Sequence, residues 1–160
     1  MFPIPIFTIM TSTGVVPLPA GIVKKVITLD YPDNAGNSNS SLAILLNDGR
    51  LFTQGANLFG EIADGTRSAR FNNFHLASTV VADVFTADRC FVIKTNSGGW
   101  QYSGLVGSIA AGGTDACVTT WTSFPSVITG TISLANLKEV KGGYNNTLWL
   151  MNSGVLYGSG

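Results

Sequence analysis

Three corners of the same design constrain this chain more than any other feature. Asn47-Asp48-Gly49, Asn96-Ser97-Gly98 and Asn152-Ser153-Gly154 each follow an apolar run and precede a short aromatic-bearing run. Each corner glycine has a second glycine six positions on, at Gly55, Gly104 and Gly160. Asp-Gly and Ser-Gly suit the positive φ that a tight hairpin turn needs. The spacing therefore predicts a hairpin with strands Leu42–Leu46 and Arg50–Thr53, and two more like it. Asp48, Gly49, Ser97, Gly98, Ser153 and Gly154 are the expected structural turn residues.

The units extend beyond the hairpins. Upstream of each lies another β-type stretch: Ile22–Leu29, Ser78–Phe85 and Leu137–Lys141. Downstream of the first two comes a small-residue loop that ends in Gly65-Thr66 and Gly113-Thr114. Each unit thus holds three or four short strands. The corner glycines are 49 and then 56 residues apart, a period that fits a propeller blade or a β-array. Composition agrees, since 19 glycines and only 11% charged residues favour short strands and tight turns over long helices with a charged wet face.

These residues resemble the regulator of chromosome condensation repeat family. Its pattern is an apolar strand, Asp-Gly, a Tyr-x-Trp-Gly strand, then Asn-x-x-Gly-Gln-Leu-Gly-x-Gly-Thr. Asp48-Gly49, Phe52, Gly55, Asn57, Gly60, Glu61, Ile62 and Gly65-Thr66 match it or substitute conservatively. The family tryptophan is replaced by Gln54, Ser103 and Ser159, and the second unit lacks the Asn-x-x spacer. The resemblance implies an all-β fold, a partial β-propeller of about three blades of short antiparallel strands. The family closes a ring of about seven blades, which hides edge strands. Its best-known member is a guanine-nucleotide exchange factor on chromatin.

Residues 1–20, with Pro3, Pro5, Pro17 and Pro19, read as an extended proline-rich N-terminal arm. The repeats fill 21–160, as units of about 21–66, 78–114 and 127–160, the last cut short in mid-repeat. The arm has no basic n-region and is a poor signal peptide, and no apolar stretch is long enough to span a bilayer as a helix.

The search for chemistry returns little. The single histidine, His75, has no Gly-x-Ser-x-Gly elbow to serve. Most acidic residues sit in turns, and Asp33-Asn34-Ala35-Gly36-Asn37-Ser38-Asn39 only loosely echoes a calcium loop. Cys90 and Cys117 match no metal spacing and read as two small thiols, their bonding left open. Zero formal charge speaks against nucleic acid, whose binding leans on a basic field. No cofactor and no catalytic residue are expected. Trp121 and Phe124, between repeats, are the candidate partner contacts, with Trp121 the one expected to be exposed.

These readings point to a non-enzymatic structural or receptor-recognition module of a larger assembly. Low charge, abundant Gly, Ser, Thr and Asn, and an apolar arm suggest a virion tail or appendage component. Residues 1–20 would dock on other subunits, the propeller would meet a host-surface receptor, and the location would be the virion. The alternative is a cytoplasmic adaptor or exchange-factor-like propeller.

Overall fold

The computed structural model describes residues 8–11, 14–17, 22–32, 36–109, 116–124, 132–143 and 146–159. Most prolines of the arm, Asp33-Asn34, the 110–115 loop with its Gly113-Thr114 ending, residues 127–131 and Gly160 lie outside them. Within the expected arm, β1 (Thr8–Thr11) and β2 (Gly14–Pro17) fold back into a two-stranded antiparallel sheet. Pro17, which has no N–H to give, pairs at the open end of this ladder with Thr8.

The remaining strands form three antiparallel meanders, the blades of a partial propeller. Blade 1 holds β3 (Val23–Pro32), β4 (Ser38–Leu46), β5 (Leu51–Gly55) and β6 (Arg70–Ser78), hydrogen-bonded in that order. Blade 2 holds β7 (Val81–Ala87), β8 (Cys90–Thr95), β9 (Trp100–Leu105) and β10 (Cys117–Ser123). Blade 3 holds β11 (Leu137–Gly143), β12 (Asn146–Met151) and β13 (Leu156–Ser159). The fold is all-β, as expected.

The blade limits differ from the expected units. Blade 1 continues past residue 66 through β6, and blade 2 continues past 114 through β10. The expected stretch Ser78–Phe85 is broken: Ser78 ends β6 and Val81 begins β7. The outer strand β6 carries Asn72, Asn73 and His75, so its alternation is too polar to read as a strand.

First strands lie side by side at the centre. β7 and β11 run parallel and meet at Lys141↔Thr86, which joins blades 2 and 3 edge to edge. At Gly142 a Cβ would fall within 1.8 Å of the Asp88 amide nitrogen, so this crossing admits glycine alone.

Side-chain alternation builds the core between blades rather than within them. On β4, Ala43 and Leu45 point to blade 2, where they meet Val84, Phe91 and Ile93. Ile44 and Leu46 point the other way and cluster with Phe52. Between blades 2 and 3, Phe85, Val92, Trp100 and Tyr102 pack with Val140, Trp149 and Met151.

Candidate functional site

The three corners are the same turn. Gly49, Gly98 and Gly154 have φ of 87°, 86° and 86°. Their amides donate to Leu46, Thr95 and Met151 carbonyls at 3.1, 2.9 and 2.9 Å. The amides of those residues in turn donate to Arg50, Gly99 and Val155 at 2.9, 2.8 and 2.9 Å. This is a three-residue hairpin loop with glycine in the left-handed position. Asp48, Ser97 and Ser153 do not share the positive φ, which belongs to the glycines alone. Instead the Asp48 carboxylate accepts the Arg50 amide at 3.1 Å. Side-chain and backbone hydrogen bonds from Arg50 hold the Asp48 carboxyl below its ordinary range. The Ser97 hydroxyl meets that of Thr95 at 2.9 Å. Each corner asparagine amide also donates to the residue just before its blade's first strand: Asn47 to Ile22, Asn96 to Val80, Asn152 to Asn136.

The loop after β5 is a second organised element. Asn57 sits at φ 56° and is fully buried. Its side chain accepts from the Ile62 amide at 3.2 Å and donates to the Ser68 carbonyl at 3.0 Å, pinning both ends of the loop. Glu61, where the family pattern has glutamine, is fully buried. It accepts from the Tyr31 hydroxyl at 2.5 Å, the Ser41 hydroxyl at 2.7 Å and the Phe59 amide at 3.0 Å. Burial first, then the adjacent Glu61 charge, pushes the Tyr31 phenol up. The loop also locks blade 1 to blade 2. Ser103 donates to the Gly60 carbonyl at 2.7 Å, and the Gly65 amide donates to Thr119 at 2.8 Å.

The two expected partner contacts are packed rather than open. Phe124 is only 7% exposed; it stacks on Tyr102 at 5.5 Å and meets the edge of Trp149 at 5.4 Å. Trp121 belongs to β10 and is half-buried between blades 1 and 2, its indole N–H donating to Ala77 at 2.8 Å. Both are aromatic fillers of the inter-blade layers, as large flat side chains in β cores tend to be.

His75 is a half-buried residue of β6 opposite Thr53. Cys90 is buried and its thiol donates to the Leu105 carbonyl at 3.4 Å, and Cys117 is half-buried. Among the described residues no cluster of three or more His, Cys, Asp or Glu side chains could hold a metal ion. No helix among them is long and apolar enough to cross a membrane.

A groove of 380 Å³ opens beside the second corner, lined by Thr95, Ser97, Trp100, Gln101, Ser123 and Phe124 among others. Trp100 is 4% exposed, with the Phe85 ring 5.4 Å away and the Lys94 ammonium 5.5 Å over its own ring. Its indole nitrogen is buried and has no hydrogen-bond partner. A buried donor left unmade costs about 1–3 kcal/mol, so such a group calls for a reason. Nothing in the sequence signals this orphan donor.

No protein-family model matches the chain, and no curated protein matches it in sequence. Solved structures do. Human WBSCR16 superimposes with a TM-score of 0.55 at 16% identity, over 74% of this chain and 31% of that one. Yeast RCC1 (Prp20), solved bound to Kap60, gives 0.57 at 16% identity, over 90% of this chain and 33% of that one. Prp20p of Saccharomyces cerevisiae, described with its binding to Gsp1p and histones, gives 0.50 at 11%, over 90% and 47%. At such identities the likeness shows the fold alone, and that fold is the RCC1-type β-propeller. The chain spans about a third of the length of the first two structures.

Proposed function

We propose that this chain is a non-catalytic adaptor-type propeller segment that recognises a protein partner at the groove beside the second corner. The observation that carries the reading is the groove itself, whose walls mix apolar rings with the hydroxyls of Thr95, Ser97 and Ser123 beside the exposed second corner. RCC1-type neighbours are described with Kap60, Gsp1p and histones, which supports a scaffold given to protein contacts. The virion-appendage reading rests on composition and on the arm. No side-chain observation in the described residues favours it over a cytoplasmic adaptor.

The test is a binding screen with Gsp1p, Kap60 and histones as first probes, paired with nucleotide release from Gsp1p. The exposed Ser97→Arg change fills the groove without touching the core. Binding weakened about tenfold by Ser97→Arg, with release rates unchanged, is the expected result. Accelerated release would replace the adaptor reading with exchange-factor activity. Binding indifferent to Ser97→Arg would discard the groove.

A further inference from the structure

Residues counted from the corner asparagine are equivalent in the three blades. Three positions before it stand Ile44, Ile93 and Trp149, at 2%, 0% and 0% exposure. Ile93 clusters with Ala43 and Leu45 of blade 1. Trp149 clusters with Val92 and Tyr102 of blade 2. Each is thus buried by the blade before its own. Ile44 points away from blade 2, to a side where the described residues put no blade. Its cluster is made of blade 1 alone: Leu46, Phe52, Val23, Leu42 and Phe74. A sheet face is hidden from water only by another element laid on it. The burial is also selective. Val26, paired with Ile44 across to β3, is 55% exposed, and Leu76, paired with Phe52 across to β6, is 46% exposed. The side-chain oxygen of Gln54, opposite Leu42, is buried and bonded by no described residue. A narrow cover that belongs to this chain therefore lies over β4 and β5 and leaves β3 and β6 open.

We propose that the β1–β2 hairpin is this cover, laid across blade 1 in the place that a preceding blade would hold. Among the described residues, β1 and β2 are the strands that belong to none of the three blades. Two strands match the width of the buried strip, which is also two strands. The hairpin ladder pairs Ile9 with Val16 and Met10 with Val15, so its middle is apolar and uncharged. The connection reaches. Pro17 stands six positions before Val23, the first residue of β3. Six residues span up to about 20 Å, against about 10 Å between packed layers and about 5 Å from β3 across to β4. The later connectors either turn within a blade or leave from blades 2 and 3, on the side of Ala43 and Leu45. A lone two-stranded hairpin is marginally stable in water, so each surface supplies what the other lacks. The outer face of blade 1 is then taken by its own chain, and an incoming blade or partner sheet must first displace the hairpin. This contact does not depend on the groove beside Trp100.

The experiment is photo-cross-linking of the full chain, with p-benzoylphenylalanine in place of Val26 and, separately, in place of Leu76. Both are exposed margins of the covered strip, so the larger side chain meets no packed core. The same residue in place of Leu148, exposed on blade 3, is the control. Circular dichroism checks that each variant keeps the fold. The expected product has the 16.8 kDa mass of one chain, and peptide mapping joins at least one margin to Thr8–Pro17. The Leu148 control should give no such peptide. Absence of Thr8–Pro17 from the products of both margins overturns the proposal. So do cross-links formed only between two chains, which would seat the hairpin on a second copy. An equal yield from the Leu148 control overturns it as well, because the hairpin would then have no fixed seat.

Discussion

Tyr31 donates its hydroxyl to Glu61 across 2.5 Å, tying the end of β3 to the loop that follows β5. Ser41 and the Phe59 amide donate to the same carboxylate. The loop thus folds around one carboxyl group whose oxygens take three donors away from water. Glu61→Leu removes the acceptor and strands those donors, and should cost on the order of 3 kcal/mol. Glu61→Gln keeps the shape and one carbonyl acceptor, and should cost about 1 kcal/mol. Urea unfolding midpoints measure both. Equal stability of the Leu variant and the parent would refute the account.

Asp64 gives the acid side of the stability curve. Burial works to raise its carboxyl, but hydrogen bonds from Arg70 and from the Thr66 hydroxyl and amide outweigh it, leaving a value of about 2 against 3.8 for a free group. The Arg70 contact is 2.6 Å. The folded value lies below the unfolded one, so the stabilisation is full above pH 3.8 and is lost as pH falls toward 2. Because Arg70 is partly exposed, the contribution is on the order of 1 kcal/mol. Asp64→Asn should flatten the pH dependence of stability in that window and leave its shape near neutrality unchanged. Acid titration followed by circular dichroism shows it.

The corner glycines should differ in cost although their turns agree. An added Cβ at Gly98 meets open space, so Gly98→Ala pays only for the left-handed backbone, about 1 kcal/mol. At Gly49 the Cβ would also press on the Asn96 side chain at 3.3 Å, and the loss should be larger. Gly98→Asn, which tolerates that conformation, should recover part of the loss. Thermal unfolding of the three variants ranks them.

Gly142→Ala tests the junction of blades 2 and 3. Its φ needs no glycine, yet the new methyl would collide with the backbone of Ala87 and Asp88. Loss of more than about 3 kcal/mol, or separation of the blades seen as faster amide exchange in β11, is expected. A stable variant with β11 still protected would contradict the close crossing.

The corners were legible because their chemistry is local: a glycine with positive φ after Asp or Ser announces itself in three residues. The fourth strands were not. β6 hides behind Asn72, Asn73 and His75, although β10, with Val118, Thr119, Thr120, Trp121 and Thr122, carries a β-rich signal that could have been read. Placing Trp121 and Phe124 between repeats made them look exposed, when the strand and its end carry them into the inter-blade layers. The unpartnered nitrogen of Trp100 was beyond sequence, since partner counts depend on packing from two blades.

The bonds from Asn47, Asn96 and Asn152 to Ile22, Val80 and Asn136 all stay inside one blade. Every meander is therefore fastened shut on itself before a neighbour is needed. Length can drift between fastenings, as the wider gap before the third corner shows, without loosening any of them. A gene encoding such units can gain, lose or lengthen a connector by slippage, and the damage stops at the next fastening.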